Sequence, residues 1–313
     1  MIKKIVVLTG PTASGKTALG VLLAGAVGGE VISADSMQIY RHMDIGTAKP
    51  TAEEMNGIRH HMLDVVSPTE SYSVARYVEA ASRAADDILS RGLLPIVVGG
   101  SGLFADSLAL GRSFAPEDSG GARREIEAEY DRLGGARMLE KLAEADPESA
   151  SRLHAGDKKR VVRAIEVHRL TGGTISGHDA RARSVPPAYD ALYIELGFAD
   201  RKTLRERIDR RVDEMVGRGF PEEARRLLEM GVTKSHNSAQ AIGYREMISA
   251  ALGEIPLRDA AEAAKLRSRQ YAKRQLTWLR RREAALRVTW EDAPDYDRAL
   301  RVSTEYMRRA GYI

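Results

Sequence analysis

Cysteine is absent from all 313 residues. Disulfides and thiolate metal sites are therefore excluded, and a reducing compartment, the cytoplasm, is the expectation. No apolar run approaches the roughly 20 residues that a membrane-spanning helix needs. The first residues lack the apolar core of a signal peptide. Internal repeats and low-complexity tracts are missing too. Apolar residues make up 43% of the chain and charged residues 29%, a globular rather than a disordered balance. The length suits one large or two medium domains.

Net charge is only +4, but it is unevenly spread. Lys265, Arg267, Arg269, Lys273, Arg274, Arg280, Arg281, Arg282 and Arg287 crowd one stretch against a single acid, Glu283. Such a run fits a polyanion partner, with a solvated helix face as the equal alternative.

The chain is organised around its start. The apolar run Ile5-Val6-Val7-Leu8 leads into Gly10-Pro11-Thr12-Ala13-Ser14-Gly15-Lys16-Thr17, and a helical pattern of Ala18, Leu19, Val21, Leu22 and Leu23 follows. This is P-loop spacing in its required strand–loop–helix setting. Successive backbone N–H groups and a helix N-terminus converge on one anion, Lys16 adds a point charge, and the Thr17 hydroxyl can hold Mg²⁺. The loop predicts a bound di- or triphosphate without saying that a phosphoryl group moves.

Glu30 to Asp35 reads as a short buried strand ending in a carboxylate. Parallel strands bring their C-terminal ends to one edge, so Asp35 is expected to face the same crevice as Lys16. Asp44 to Pro50 is polar, contains glycine and stops at proline, which predicts a loop over that crevice. His60-His61 begins a further short strand and reads as packing or capping rather than as metal ligands. Ser73 to Arg91 has helical periodicity. Leu93 to Val98 is a buried strand that opens into Gly99-Gly100-Ser101-Gly102. It lacks the terminal aspartate with which many P-loop NTPases hold Mg²⁺. That weakens a hydrolytic reading and favours close backbone approach to a ligand.

From Glu117 the pattern changes. Asp118-Ser119-Gly120-Gly121 is linker-like, and helical segments at 122–133, 136–145, 147–153 and 157–170 follow with no strand between them. The fold class is α/β: a P-loop parallel-sheet core formed by 1–116 and 188–313, an inserted all-helical subdomain at 117–187, and a helical C-terminal part. On the last inserted helix, Lys159 and Arg163 share a face with Glu166, as an internally paired surface would. After a strand at 191–198, Arg201 to Arg218 is helical. Arg207 and Arg211, four apart, can clamp phosphate oxygens from one side or pair with Glu206, Asp209 or Asp213. Helices are expected at 221–230, 239–252, 257–282 and 296–309, with a last strand at 288–290.

Six stretches together resemble the tRNA isopentenyltransferase (tRNA dimethylallyltransferase) family: Gly10 to Thr17, Asp35-Ser36-Met37-Gln38-Ile39-Tyr40, Asp44 to Pro50, Gly99 to Leu103, Ala241-Ile242-Gly243-Tyr244, and Gln270 to Trp278. They occur in the family's order over almost the full length. The resemblance implies transfer of a dimethylallyl group from dimethylallyl diphosphate to N6 of adenine 37, beside the anticodon of tRNA. It implies that Asp35 orients and deprotonates the amine, with Ser101 and Arg211 beside the reacting groups. Gly10 to Thr17 and Arg207 would hold the diphosphate, and Thr17 the Mg²⁺. It further implies contacts to the anticodon stem-loop from Asp35, Ser36, Met37, Gln38, Ser101, Arg123, Lys159, Arg160, Val161, Val162, Arg163, Gln240, Ala241, Ile242, Gly243, Tyr244 and Arg245. The family also points to a cytoplasmic, monomeric enzyme with no membrane contact. Ser101 replaces the family's usual threonine, Phe104 a common tyrosine, Lys159 a glutamine and Ser268 a threonine. The rival readings are a kinase using ATP at the same loop and a non-catalytic RNA-binding module.

Overall fold

The computed structural model describes residues 3–116, 121–282 and 284–313. The linker-like break at 118–120 and the acid Glu283 lie outside them. The chain divides into two compact units, Met1–Gly111 with Ala188–Ile313, and Arg112–Pro187.

The first unit is built on six strands, β1 (Lys4–Thr9), β2 (Gly29–Ser33), β3 (His60–His61), β4 (Leu94–Val98), β5 (Asp190–Phe198) and β6 (Leu286–Trp290). They form one sheet in the order β3-β2-β4-β1-β5-β6, every neighbouring pair parallel. β1, β2 and β4 are buried almost throughout, as parallel strands covered on both faces must be. β2 stops at Ser33 rather than reaching Asp35. Ala34 still donates to the Val98 carbonyl at 2.8 Å, and Asp35 lies in the turn just beyond.

Helix α1 (Lys16–Val27) follows the P-loop, and the short α2 (Ala52–Met55) is closed by a capping box of Thr51 and Glu54. α3 (Val74–Ser90) starts where the Ser73 hydroxyl accepts from Arg76 N, and α4 (Gly102–Leu110) follows β4. Leu19 and Leu23 of α1 pack on Val6, Leu8, Ile96, Val98 and Ile194 of the sheet. Phe104, where the family often has tyrosine, is buried with its ring centroid 4.3 Å from that of Tyr77.

The second unit holds α5 (Gly121–Leu133), α6 (Gly135–Ala145), α7 (Pro147–Arg152), α8 (Lys158–Thr171) and α9 (Ile175–Ser184). Its core is Ile126, Met138, Val161 and Val162. Helix α9 was not expected, because its sequence carries no clear apolar stripe. Its start is set by capping, Thr174 accepting from Gly177 N. Asp146 fastens the unit, accepting from Ser149 Oγ and Ser176 Oγ at 2.7 Å each and from their two amides.

The rest of the first unit is α10 (Arg201–Gly217), α11 (Phe220–Glu229), α12 (Tyr244–Ala251), α13 (Leu257–Leu279) and α14 (Tyr296–Arg309). The helix expected at 239–252 is broken. A 3₁₀ turn spans Ser238–Gln240, and α12 begins only after Gly243 at φ 90°, a conformation open to glycine. A Cβ at Gly243 would also come within 2.8 Å of the Phe220 ring.

Candidate active site

β1 lies between β4 and β5, so the loops after β1, β2 and β4 leave the same sheet edge. A cleft of about 640 Å³ opens there, lined by Thr12 to Ala18, Asp35, the loop residues 44–45 and 47–50, Gly99, Gly100 and three arginines of α10, Arg207, Arg210 and Arg211. Asp35 and Lys16 thus face one crevice, as the strand order requires. A second, smaller pocket of about 270 Å³ adjoins it, with a more apolar wall that includes Ile208, Val212, Phe220, Ile242 and Ala264. Six residues line both: Thr12, Asp35, Thr47, Arg211, Met215 and Tyr271. Asp35 therefore stands at the junction between a polar space and an apolar one.

The P-loop is held open by its backbone. Gly15 takes φ 87° at the start of α1, and Ala13 takes φ 62°. Lys16 Nζ folds back to the Pro11 carbonyl at 2.8 Å. Gly10 and Pro11 shape the loop from behind, and a Cβ at Gly10 would lie 2.5 Å from the Leu196 carbonyl oxygen. Burial holds the Lys16 pKa down to about 7; Arg211 nearby pushes the same way and Asp35 opposes. Arg211 is itself lowered by burial, with Asp35 raising it. Each of these cations is partly stripped of water, and neither has an ion-pair partner among the described residues. Arg207 donates to the Ala13 carbonyl at 3.3 Å and sits over the Phe198 ring. Three acids of the same helix are engaged elsewhere, while Asp35, Glu214 and Glu54 act on Arg211 without an ion pair. Asp209 takes Arg269, Asp213 takes Lys265 at 2.7 Å, and Glu206 is 3.9 Å from Lys202.

Asp35 Oδ1 accepts from Met37 N at 2.9 Å, a turn that orients the carboxylate. Ser101 lines neither cavity; its hydroxyl oxygen accepts from Ser36 N at 3.3 Å and so touches the Asp35 turn from β4. Gln38 is tied inward, accepting from Ser33 Oγ at 3.0 Å and donating to the Thr47 and Ala48 carbonyls. The glycines after β4 were expected to let backbone approach a ligand. Gly99 and Gly100 line the cleft, and they also admit protein: a Cβ at Gly99 would meet the Ala34 carbonyl oxygen at 2.3 Å, and one at Gly100 the Gln275 amide at 2.2 Å.

The loop over the cleft is pinned at both ends. Buried Glu223 accepts from the amides of Asp44, Ile45 and Gly46 at 2.8–3.0 Å and from the Tyr244 hydroxyl at 2.6 Å. Lys49 reaches Asp44 and Asp64 at 2.6 Å each. His60 and His61 hold Ile58 and Glu30, and no metal-binding cluster occurs among the described residues.

Of the expected RNA contacts, the side chains of Val161, Val162 and Tyr244 need correction. Val161 and Val162 are 0% exposed in the core of their unit, so their side chains face other helices and not a partner. Tyr244 is also 0% exposed, with its hydroxyl spent on Glu223. Arg163 points inward, to Glu166 at 2.9 Å and to the Ala115 carbonyl at 2.7 Å. Arg123 bonds Glu127 at 3.2 Å and lies 3.8 Å from Glu166. Lys159, Arg160, Gln240 and Arg245 are exposed. Ser36, Met37 and Gln240 to Gly243 line the apolar pocket, together with Ser268.

Residues 38–282 match the family model described as IPP transferase. The chain belongs to the IPP transferase family. It is 44% identical over 94% of its length to the tRNA dimethylallyltransferase of Acetivibrio thermocellus, covering 93% of that protein. It is 46% identical to that of Shouchella clausii, with 90% of each chain covered. Among solved structures, the full-length tRNA isopentenylpyrophosphate transferase of Bacillus halodurans matches with a TM-score of 0.72 and 39% identity, over 98% of this chain and 96% of that one. A eukaryotic dimethylallyltransferase acting on tRNA matches with a TM-score of 0.83 and 29% identity, over 98% of this chain and 80% of that one. Within this family fold, sequence reasoning missed Gln275, Tyr271, Glu223 and Lys49. A signal for the first two was present: two polar residues four apart on one helix face inside a family block.

Proposed function

We propose that this protein transfers a dimethylallyl group from dimethylallyl diphosphate to N6 of adenine 37 in tRNA. The observation that carries the reading is Asp35 at the junction of two cavities, shared with Thr12, Arg211 and Tyr271. The polar cleft suits the diphosphate: P-loop amides, Lys16, Arg207 and Arg211 provide donors, and none of these three cations is held in an ion pair among the described residues. The adjoining pocket, walled by Met37 and Ile242, suits an extruded base.

In the reaction, the N6 lone pair forms a bond to C1 of the dimethylallyl group. The C1–O bond breaks and its electron pair leaves with the diphosphate. Lys16, Arg207 and Arg211 stabilise charge where it accumulates, an effect largest when the donors are already fixed. Asp35 holds the amine and takes its proton. Thr17 lines the cleft and is the residue whose hydroxyl would hold Mg²⁺. Mg²⁺ keeps most of its shell as water and substrate phosphate, so one hydroxyl fits, and the ion when bound adds positive charge at the leaving group.

The anticodon stem-loop meets unpaired cations. Lys265, Arg267, Arg269, Arg282 and Arg287 each have an acidic partner. Lys273, Arg274, Arg280 and Arg281 have none among the described residues, and all four are exposed. Arg274 also lines the apolar pocket, so this face of α13 leads to the base site. Lys159, Arg160 and Arg245 supply further exposed charge. No helix is long and apolar enough to cross a membrane among the described residues. The enzyme acts as a monomer in the cytoplasm. Mass spectrometry of an anticodon stem-loop incubated with protein, dimethylallyl diphosphate and Mg²⁺ tests the reading. A single prenyl adduct at adenine 37 is expected; phosphoryl transfer from ATP without any adduct would overturn it.

A further inference from the structure

Gln275 is a buried amide on the inner face of α13, and both ends of it are used. Its Oε1 accepts from Thr12 N in the P-loop at 2.8 Å, and its Nε2 donates to the Gly100 carbonyl after β4 at 2.9 Å. The next residue, Ser101, accepts from Ser36 N beside Asp35. A continuous chain of contacts thus runs from the phosphate-binding loop through one side chain to the turn that carries the acid. Tyr271, one turn earlier on the same face, has its hydroxyl within reach of Ser101 and Gln275. The helix is anchored just beyond by Trp278 Nε1, which donates to Asp106 at 2.8 Å, and by the ion pair of Arg282 with Asp106. The fit around Gln275 is close enough that Gly100 has no room for a Cβ.

We propose that Gln275 is a positioning residue that sets the separation between the diphosphate grip and Asp35. It lines the polar cleft, but in this scheme it bonds neither the amine nor C1 of the dimethylallyl group. Its Thr12 bond secures the shoulder of the P-loop and leaves the amides of Ala13 to Thr17 for the phosphates. Removing it should therefore leave the grip intact and misplace it relative to the acid. A displacement of about 1 Å can cost about a hundredfold in rate. The inference rests on the prenyl-transfer reading above.

The test is steady-state kinetics of Gln275→Leu and Gln275→Asn with dimethylallyl diphosphate and an anticodon stem-loop, alongside thermal unfolding. Leucine removes both bonds. Asparagine keeps both chemical groups but is one methylene too short to span the two loops. Both variants should lose about a hundredfold in kcat, with the KM for dimethylallyl diphosphate within about threefold of the parent. Stem-loop affinity should be unchanged. A kcat per folded site equal to the parent's, with only a lowered melting temperature, would make Gln275 a stability residue and overturn the proposal. So would a raised KM at constant kcat, which would place Gln275 in the grip itself. A parent protein that forms no prenyl adduct would instead remove the underlying reading, and this inference with it.

Discussion

The cations of the cleft and those of α8 look alike in the sequence and differ entirely in their surroundings. Lys16, Arg207 and Arg211 share their space with no acid that bonds them, and burial presses on the charge of Lys16 and Arg211. On α8, Arg163 is locked to Glu166, Lys158 reaches Asp131 at 2.5 Å and Arg169 pairs with Glu125 at 2.6 Å. An unpaired, poorly solvated cation is costly unless a ligand completes it. A paired cation at the surface, such as Lys158 or Arg169, contributes little either way. The first arrangement suits an anionic ligand, while the second is largely satisfied within the protein, whatever the charge count.

The largest expected effect breaks the cleft at Asp35, the acid that lines both cavities. Asp35→Ala should lower prenyl transfer by about a thousandfold, within the range for a lost general base, while stem-loop affinity falls less than about threefold. Equal loss of both would argue for a binding module rather than an enzyme.

The second effect concerns the unpaired cations. With its pKa near 7, Lys16 is largely neutral at pH 8 in the free protein. A bound diphosphate favours the charged form, so binding should take up a proton at pH 8, where the substrate is already fully ionised. Calorimetry in buffers of different ionisation enthalpy measures this. Arg211→Ala removes a like charge from Lys16 and should raise its pKa, so proton uptake at pH 8 should shrink while diphosphate affinity drops about tenfold or more. Uptake unchanged in the variant would mean that burial alone governs Lys16.

How legible these contrasts were depends on the range of the contacts. The sheet, the P-loop and most helices follow from runs and spacings a few residues long, and α14 was expected at 296–309 and found at Tyr296–Arg309. Asp35 facing Lys16 followed from parallel topology. What could not be read were pairings across long separations. Arg207 and Arg211 carry no ion pair among the described residues, and Asp209 and Asp213 turn instead to Arg269 and Lys265. Gln275 finds Thr12 across 263 positions. Gly243 at φ 90° splits a segment whose periodicity looked continuous.

The smallest effects lie on α8, where the comparison is sharpened within one helix. Arg160 is exposed, with only a 4.0 Å approach to Asp157, whereas Arg163 donates to Glu166, Ala115 and Pro116. Arg160→Ala should lower the slope of log affinity against log salt by about one phosphate contact, with no change in melting temperature. Arg163→Ala should do the opposite. It leaves Glu166 buried with one fewer partner, so the cost falls on the helical unit, about 1–3 kcal/mol, and the salt slope stays where it was. A flattened slope for Arg163→Ala would mean that its inward bonds open when RNA binds, and the division between architecture and interface on this helix would fail.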